Sequence, residues 1–112
     1  MNRCKDILLH MREDCVDIRQ FIEGMTEDEF ANNKLVRNAV GMSLINIGEL
    51  VKALPMDFRE EHSKLPWRRI AGMRDLAAHK YQALVISAIW NVAKNRVPEI
   101  MEFIDEYIKT EV

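Results

Sequence analysis

Glycine and proline are scarce, at four and three in a chain of 112 residues. So little turn-forming material argues against a many-stranded β fold. Threonine is nearly absent, methionine is frequent at seven, and helix formers dominate, which points to an all-α chain. No apolar run approaches the roughly 20 residues that a membrane span needs. The first residues, MNRCKDILLHMRED, are charged throughout and contain no apolar core for a secretory signal. The expected location is the cytoplasm. Neither sign of charge is in large excess: sixteen basic residues stand against eighteen acidic ones, for a net charge of −2. That excludes a globally basic nucleic-acid binder and leaves a local basic site open. Cysteine occurs only twice, at Cys4 and Cys15. On one helix the two share a face about 16 Å apart along the axis, beyond the roughly 7 Å between Cα atoms that a disulfide allows. They read as two buried thiols on an apolar stripe.

What is present is globular. Hydrophobic residues make up 48% and charged residues 30%, and a chain of this size buries roughly two thirds of its unfolded surface without a covalent staple. With no internal repeat, linker or low-complexity segment, residues 1–112 form a single domain. Cys4, Ile7, Met11, Cys15, Ile18 and Ile22 recur at helical spacing, which predicts a helix over 2–23 ended by Gly24. Thr26 followed by Glu29 reads as a capping box for a short turn through Phe30, with a break at Asn32-Asn33. A second long helix is expected over 34–54, stopped by Pro55. Its buried face is read as Leu35, Ala39, Met42, Ile45 and Val51, widened by Val36, Val40, Ile47, Leu50 and Leu54. A polar connection with one helical turn at 57–61 leads to Pro66, which suits the first turn of a third helix over 67–80. A fourth runs over 85–109 with a kink at Pro98. The result is an all-α, up-and-down bundle of four main helices with short connecting helices.

Charge is unevenly spread. Residues 62–80 hold Lys64, Arg68, Arg69, Arg74 and Lys80 against the single acid Asp75, for a local charge of +4. Such a patch on an acidic body suits a phosphate-bearing ligand, or is simply a solvated helix face. Within it lies Arg74-Asp75-Leu76-Ala77-Ala78-His79-Lys80-Tyr81. On a helix, Asp75 can orient His79 from one turn away, and Arg74 shares a face with Tyr81. Arg74 and His79 sit about 140° apart on an ideal helix. They converge only if the helix loosens, if the long side chains curl together, or if a second subunit supplies another copy. A guanidinium grips phosphate with two prongs and stabilises developing negative charge, and an imidazole moves protons at neutral pH. Together they suit RNA cleavage through the ribose 2′-OH, without a metal, while on these residues alone a satisfied helix-end histidine is the stronger reading. His10, His62 and His79 are scattered, with no metal-ligand spacing.

The longer context, Leu65-Pro66-Trp67-Arg68-Arg69-Ile70-Ala71-Gly72-Met73-Arg74-Asp75, then His79-Lys80-Tyr81 and Trp90, resembles the HepT-like branch of the HEPN family. Arg37 and Ile47-Gly48-Glu49 resemble its second-helix segment, and Met25 to Phe30 its short linking helix. The resemblance implies an all-α homodimer with motifs from both protomers around a shared cleft. It implies a metal-independent endoribonuclease, needing no cofactor, that acts as the toxin of a type VII-like toxin–antitoxin pair. The implied antitoxin is a minimal nucleotidyltransferase that adds AMP to Tyr81, where bulk and negative charge would block RNA. Arg74 would bind the scissile phosphate, His79 would act as general acid or base, and Asp75 would orient His79 or the RNA. Arg68, Arg69 and Lys80 are plausible auxiliary RNA contacts. Glu49 matches a family position to which no role is assigned, its plainest reading being a buried polar contact with the basic helix, and Trp67 and Trp90 read as core anchors. Two features depart from the family: Asp75 stands where Asn is frequent, and Gln82-Ala83-Leu84-Val85 lacks the Gly and Asp that often follow the Tyr. The competing expectation is a non-catalytic helical module that only pairs with a nucleotidyltransferase. A third is the neutralising member of the pair.

Overall fold

Three helices start by one device. The side-chain oxygens of Asn2, Thr26 and Asn33 each accept, at 3.1 Å, the backbone N–H three residues on. They thereby satisfy donors that a first helical turn leaves open. In the computed structural model, which describes residues 2–78 and 83–110, these caps launch α1 (Arg3–Phe21), α2 (Glu27–Ala31) and α3 (Lys34–Ala53). The expected capping box is complete, because Glu29 Oε1 also accepts from the Thr26 N–H at 2.9 Å. Helix α1 closes at Phe21, slightly earlier than expected, and Gly24 carries the following turn at φ +75°, a conformation side chains rarely adopt.

Helix α1 packs on α3 and on the C-terminal helix, and α3 packs on the basic segment. Leu8, Met11, Cys15 and Ile18 of α1 meet Val40, Leu44, Ile47 and Val51 of α3 in one core. This corrects the expected face of α3. Leu35 is 80% exposed and Met42 59% exposed. Apolar residues surround much of α3, so periodicity allowed more than one stripe, and packing chose the one centred on Val40, Leu44, Ile47 and Val51.

Helix α4 (Met56–Glu61) is the expected turn before the third helix. Phe58 packs against His62, Trp67 and Tyr107, and the Trp67 indole donates to the His62 carbonyl at 2.8 Å. Trp90 packs on buried Phe30 with ring centroids 5.3 Å apart. Trp67 is therefore a core anchor, and Trp90, only partly buried, packs against the core from its edge.

The third helix, expected to be continuous, is divided. It runs as α5 (Trp67–Ala71) and α6 (Met73–Ala78) around Gly72, the residue of poorest helix propensity in the segment. Backbone bonding survives the break: Gly72 N–H reaches the Arg68 carbonyl, and the Gly72 carbonyl accepts from Asp75 and Leu76.

The fourth helix also differs in detail. It comprises α7 (Ala83–Asn91), a π-helical stretch Val92–Arg96, and α8 (Val97–Thr110). Pro98 has no N–H for the Lys94 carbonyl and its ring crowds that group. The wide turn lies just upstream, where Val97 N–H reaches back to the Val92 carbonyl. The distortion therefore falls before the proline. Among the described residues there is no strand, and no helix is long and apolar enough to cross a membrane. The all-α architecture expected from composition and periodicity is borne out.

Candidate active site

The site begins with a glycine that has no chemistry of its own. Gly48 faces inward from α3, and a Cβ placed there would lie 2.9 Å from the Ala71 carbonyl oxygen, 3.0 Å from Arg74 Cβ and 3.2 Å from Arg74 N. Only a hydrogen fits, so α3 and the junction of α5 with α6 approach backbone to backbone. The next residue, Glu49, then reaches Arg74: Oε1 lies 2.6 Å from Nε. Both side chains are 49% exposed, so the pair contributes at most about 1 kcal/mol to stability. Its greater effect is geometric. The closest approach is at the inner nitrogen, and a guanidinium engaged from that side still has donors on its outer edge for a phosphate. Among the described residues, no other ion pair involves Arg74.

Glu49 was expected to be a buried contact with the basic helix. The contact is with that helix, but it is half-exposed and its partner is the motif arginine itself. No spacing rule links positions 49 and 74. The signal available was the neighbouring Gly48, a poor helix residue inside a strong helix pattern, which marks a close backbone approach. Arg37, from the same segment, has a structural role: it donates to the Ala31 carbonyl and ties the end of α2 to α3.

The electrostatic surroundings are divided. On one side of Glu49, a groove between α1 and α3 is lined by His10, Glu13, Asp14, Asn46, Glu49 and Leu50. Burial pushes the Asp14 carboxyl above its ordinary value, while the Asn46 amide acts in the opposite direction. A groove bearing three carboxylates repels a phosphate chain. On the other side lies the basic segment. Its Lys64 is paired with Glu106 at 3.5 Å and its Arg74 with Glu49. Arg68 and Arg69 are exposed and have no ion-pair partner among the described residues. Asp75 is exposed beside Arg74. An apolar cavity of about 170 Å³ lies against Met73 and Leu76 of α6, Val92 of the π stretch and Ile100 of α8. Arg69 and Arg96 also line it. Neither Arg74 nor Glu49 does, so this cavity is separate from the ion pair.

His79, Lys80 and Tyr81 lie outside the described residues. Among the described residues, no group of three or more His, Cys, Asp or Glu side chains is arranged to hold a metal ion. Both cysteines are free. Cys15 is fully buried, and desolvation pushes its thiol up to about 12, whereas Cys4 is only partly buried.

The bundle, its short linking helices and the arginine carried on a broken basic helix define an all-α domain of the HEPN class. Residues 11–107 match the family described as Ribonuclease HepT-like. The chain belongs to the HepT-like ribonuclease family. A protein named as a candidate RNase in Caldanaerobacter subterraneus subsp. tengcongensis is 34% identical over 99% of both chains. Another, in Methanocaldococcus jannaschii, is 39% identical over 93% of this chain and 83% of its own. A protein named as a candidate ribonuclease HepT in Thermococcus cleftensis is 32% identical over 86% of this chain and 87% of its own. No solved structure matches the chain. The family and the ribonuclease class expected from the motif are thereby shown.

Proposed function

We propose that this chain is a metal-independent endoribonuclease in which Arg74 and His79 perform the chemistry, and that it acts as the toxin of a toxin–antitoxin pair. The observation that carries the reading is the exposed Arg74 fork, held at Nε by Glu49, in a chain of the HepT-like ribonuclease family. His79 takes the proton from a ribose 2′-OH, whose oxygen attacks the adjacent phosphorus. The P–O5′ bond breaks, an imidazolium returns a proton to the leaving 5′ oxygen, and a 2′,3′-cyclic phosphate remains. Arg74 offsets the charge that accumulates on the phosphoryl oxygens. Asp75 orients His79 or the RNA, and Arg68, Arg69 and Lys80 contact neighbouring phosphates. Two copies of the chain pair around a shared cleft. In support, α3 leaves Leu35 and Met42 exposed one heptad apart, on the stripe that continues to Glu49. The partner in the cell is a minimal nucleotidyltransferase that silences the enzyme by adding AMP to Tyr81.

The test is cleavage of a labelled single-stranded RNA in EDTA by the purified chain, alongside Arg74→Ala and His79→Ala. The wild type is expected to cut, both variants to be inactive, and a 2′-deoxy substitution at the cut site to block the reaction. Undiminished cutting by His79→Ala removes that residue from the mechanism. A folded wild type that leaves RNA intact at every pH overturns the enzyme reading. Expression alone is expected to arrest growth, and co-expression of the nucleotidyltransferase encoded beside it to restore growth.

A further inference from the structure

We propose that Glu49 is the positioning residue of the ribonuclease site: its carboxylate holds Arg74 at Nε and so aims the outer guanidinium nitrogens at the scissile phosphate. This rests on the function proposed above and names a residue that its chemistry requires. A half-exposed arginine on a six-residue helix has a long side chain with many rotamers. A phosphate that has to order that side chain on arrival loses part of the binding energy to do so. Glu49 removes much of that freedom beforehand. Its own base is firm, because it projects from the 20-residue α3 next to Gly48, where α3 touches the backbone of Ala71 and Arg74. The close packing therefore sets the main chain of Arg74, and the ion pair biases its guanidinium.

The sign of the charge distinguishes this role from simple RNA binding. A carboxylate beside the arginine repels a phosphate chain, so for affinity alone Glu49 is unfavourable. Its benefit lies in the transition state, where the placement of the guanidinium counts. Loss of the carboxylate should thus leave RNA binding unchanged or tighter while slowing the chemical step. Damage to the fold has the opposite effect on binding.

The experiment measures kcat and KM of the chain on a short labelled RNA in EDTA, with Glu49→Ala, Glu49→Gln and Arg74→Ala. A melting curve accompanies each. Glu49→Ala is expected to lower kcat by about tenfold to a hundredfold, with KM unchanged or reduced and the melting temperature retained. Glu49→Gln still offers Nε an oxygen and should recover most of the rate. Wild-type kcat in Glu49→Ala, where Arg74→Ala is inactive, overturns the positioning role and leaves the ribonuclease reading intact. A faster Glu49→Ala enzyme overturns it too and makes Glu49 a restraint on Arg74. A raised KM with a lowered melting temperature assigns Glu49 to the fold. If the folded wild type cuts no RNA, the ribonuclease reading fails and the role of Glu49 falls with it.

Discussion

Replacing Gly48 by alanine sets two physical effects against each other. In a helix interior, alanine is favoured over glycine by about 1 kcal/mol, so a freely exposed Gly48 would gain stability on substitution. Here the added methyl would sit 2.9 Å from the Ala71 carbonyl oxygen, 3.0 Å from Arg74 Cβ and 3.2 Å from Arg74 N. None of these is the end of a flexible side chain that can swing away. Forcing an extra carbon into such a contact costs about 1–3 kcal/mol. The cost exceeds the propensity gain over most of that range, so Gly48→Ala should be net destabilising by about 1 kcal/mol. Relief of the clash requires α3 and the α5–α6 junction to separate, which carries Arg74 away from Glu49. Cleavage should therefore fall more than stability does, and remain low at temperatures where the variant is fully folded. Denaturant unfolding followed by far-UV circular dichroism supplies the first quantity, and single-turnover RNA cleavage the second. A Gly48→Ala chain that is more stable by about 1 kcal/mol and cuts at the wild-type rate would refute the reasoning at both steps.

Other consequences can be checked directly. Burial raises the Cys15 thiol from its ordinary 9.0 to about 12. Above pH 9 the unfolded chain releases a proton that the folded chain keeps, so stability is fully present below that pH. It should decline toward pH 12, by up to about 1.4 kcal/mol per unit, and Cys15→Ala should flatten this slope; an unchanged slope assigns the decline to other groups. Glutamate at both Leu35 and Met42, which are exposed in the single chain, should leave the fold intact and convert the proposed dimer to monomers in analytical ultracentrifugation. An unchanged sedimentation coefficient puts the pairing surface elsewhere. Trp67→Phe removes the indole donor to the His62 carbonyl and should cost about 1–3 kcal/mol in denaturant unfolding. A loss below that range would mean that water replaces the indole.

Local signals were legible wherever one residue type has one strong local use. Thr26 with Glu29 capped a helix because a short hydroxyl side chain and a carboxylate three residues on satisfy each other's backbone donors. Gly24 marked a turn with positive φ, and the spacing of Ile7, Met11, Cys15 and Ile18 identified the buried face of α1. The same reasoning failed on α3, where Leu35 and Met42 were as apolar as Val40 and Leu44. Periodicity ranks faces by hydrophobicity, and a helix apolar on several sides has no unique answer until its neighbours are in place. It also missed the break at Gly72 and placed the distortion of the last helix at Pro98 instead of in the π stretch before it. In both, the backbone relieves a local misfit over a full turn, and the residue that causes the misfit need not be the one that moves.

The candidate site residues divide along the same line. The motif from Pro66 to Tyr81 is contiguous, so its arginine, acid, histidine and tyrosine could be named from the chain alone, and the ribonuclease family was recognisable in them. Helix content, the caps, the basic segment and the candidate arginine are legible in the chain alone, because each depends on interactions within a few residues. The tertiary structure alone decided that Glu49 meets Arg74, that Gly48 must be bare, and that Leu35 and Met42 remain uncovered. Those outcomes depend on how α3 lies against the basic segment, a contact between residues some 25 apart in the chain. No local preference specifies that distance, and only close packing of whole helices does.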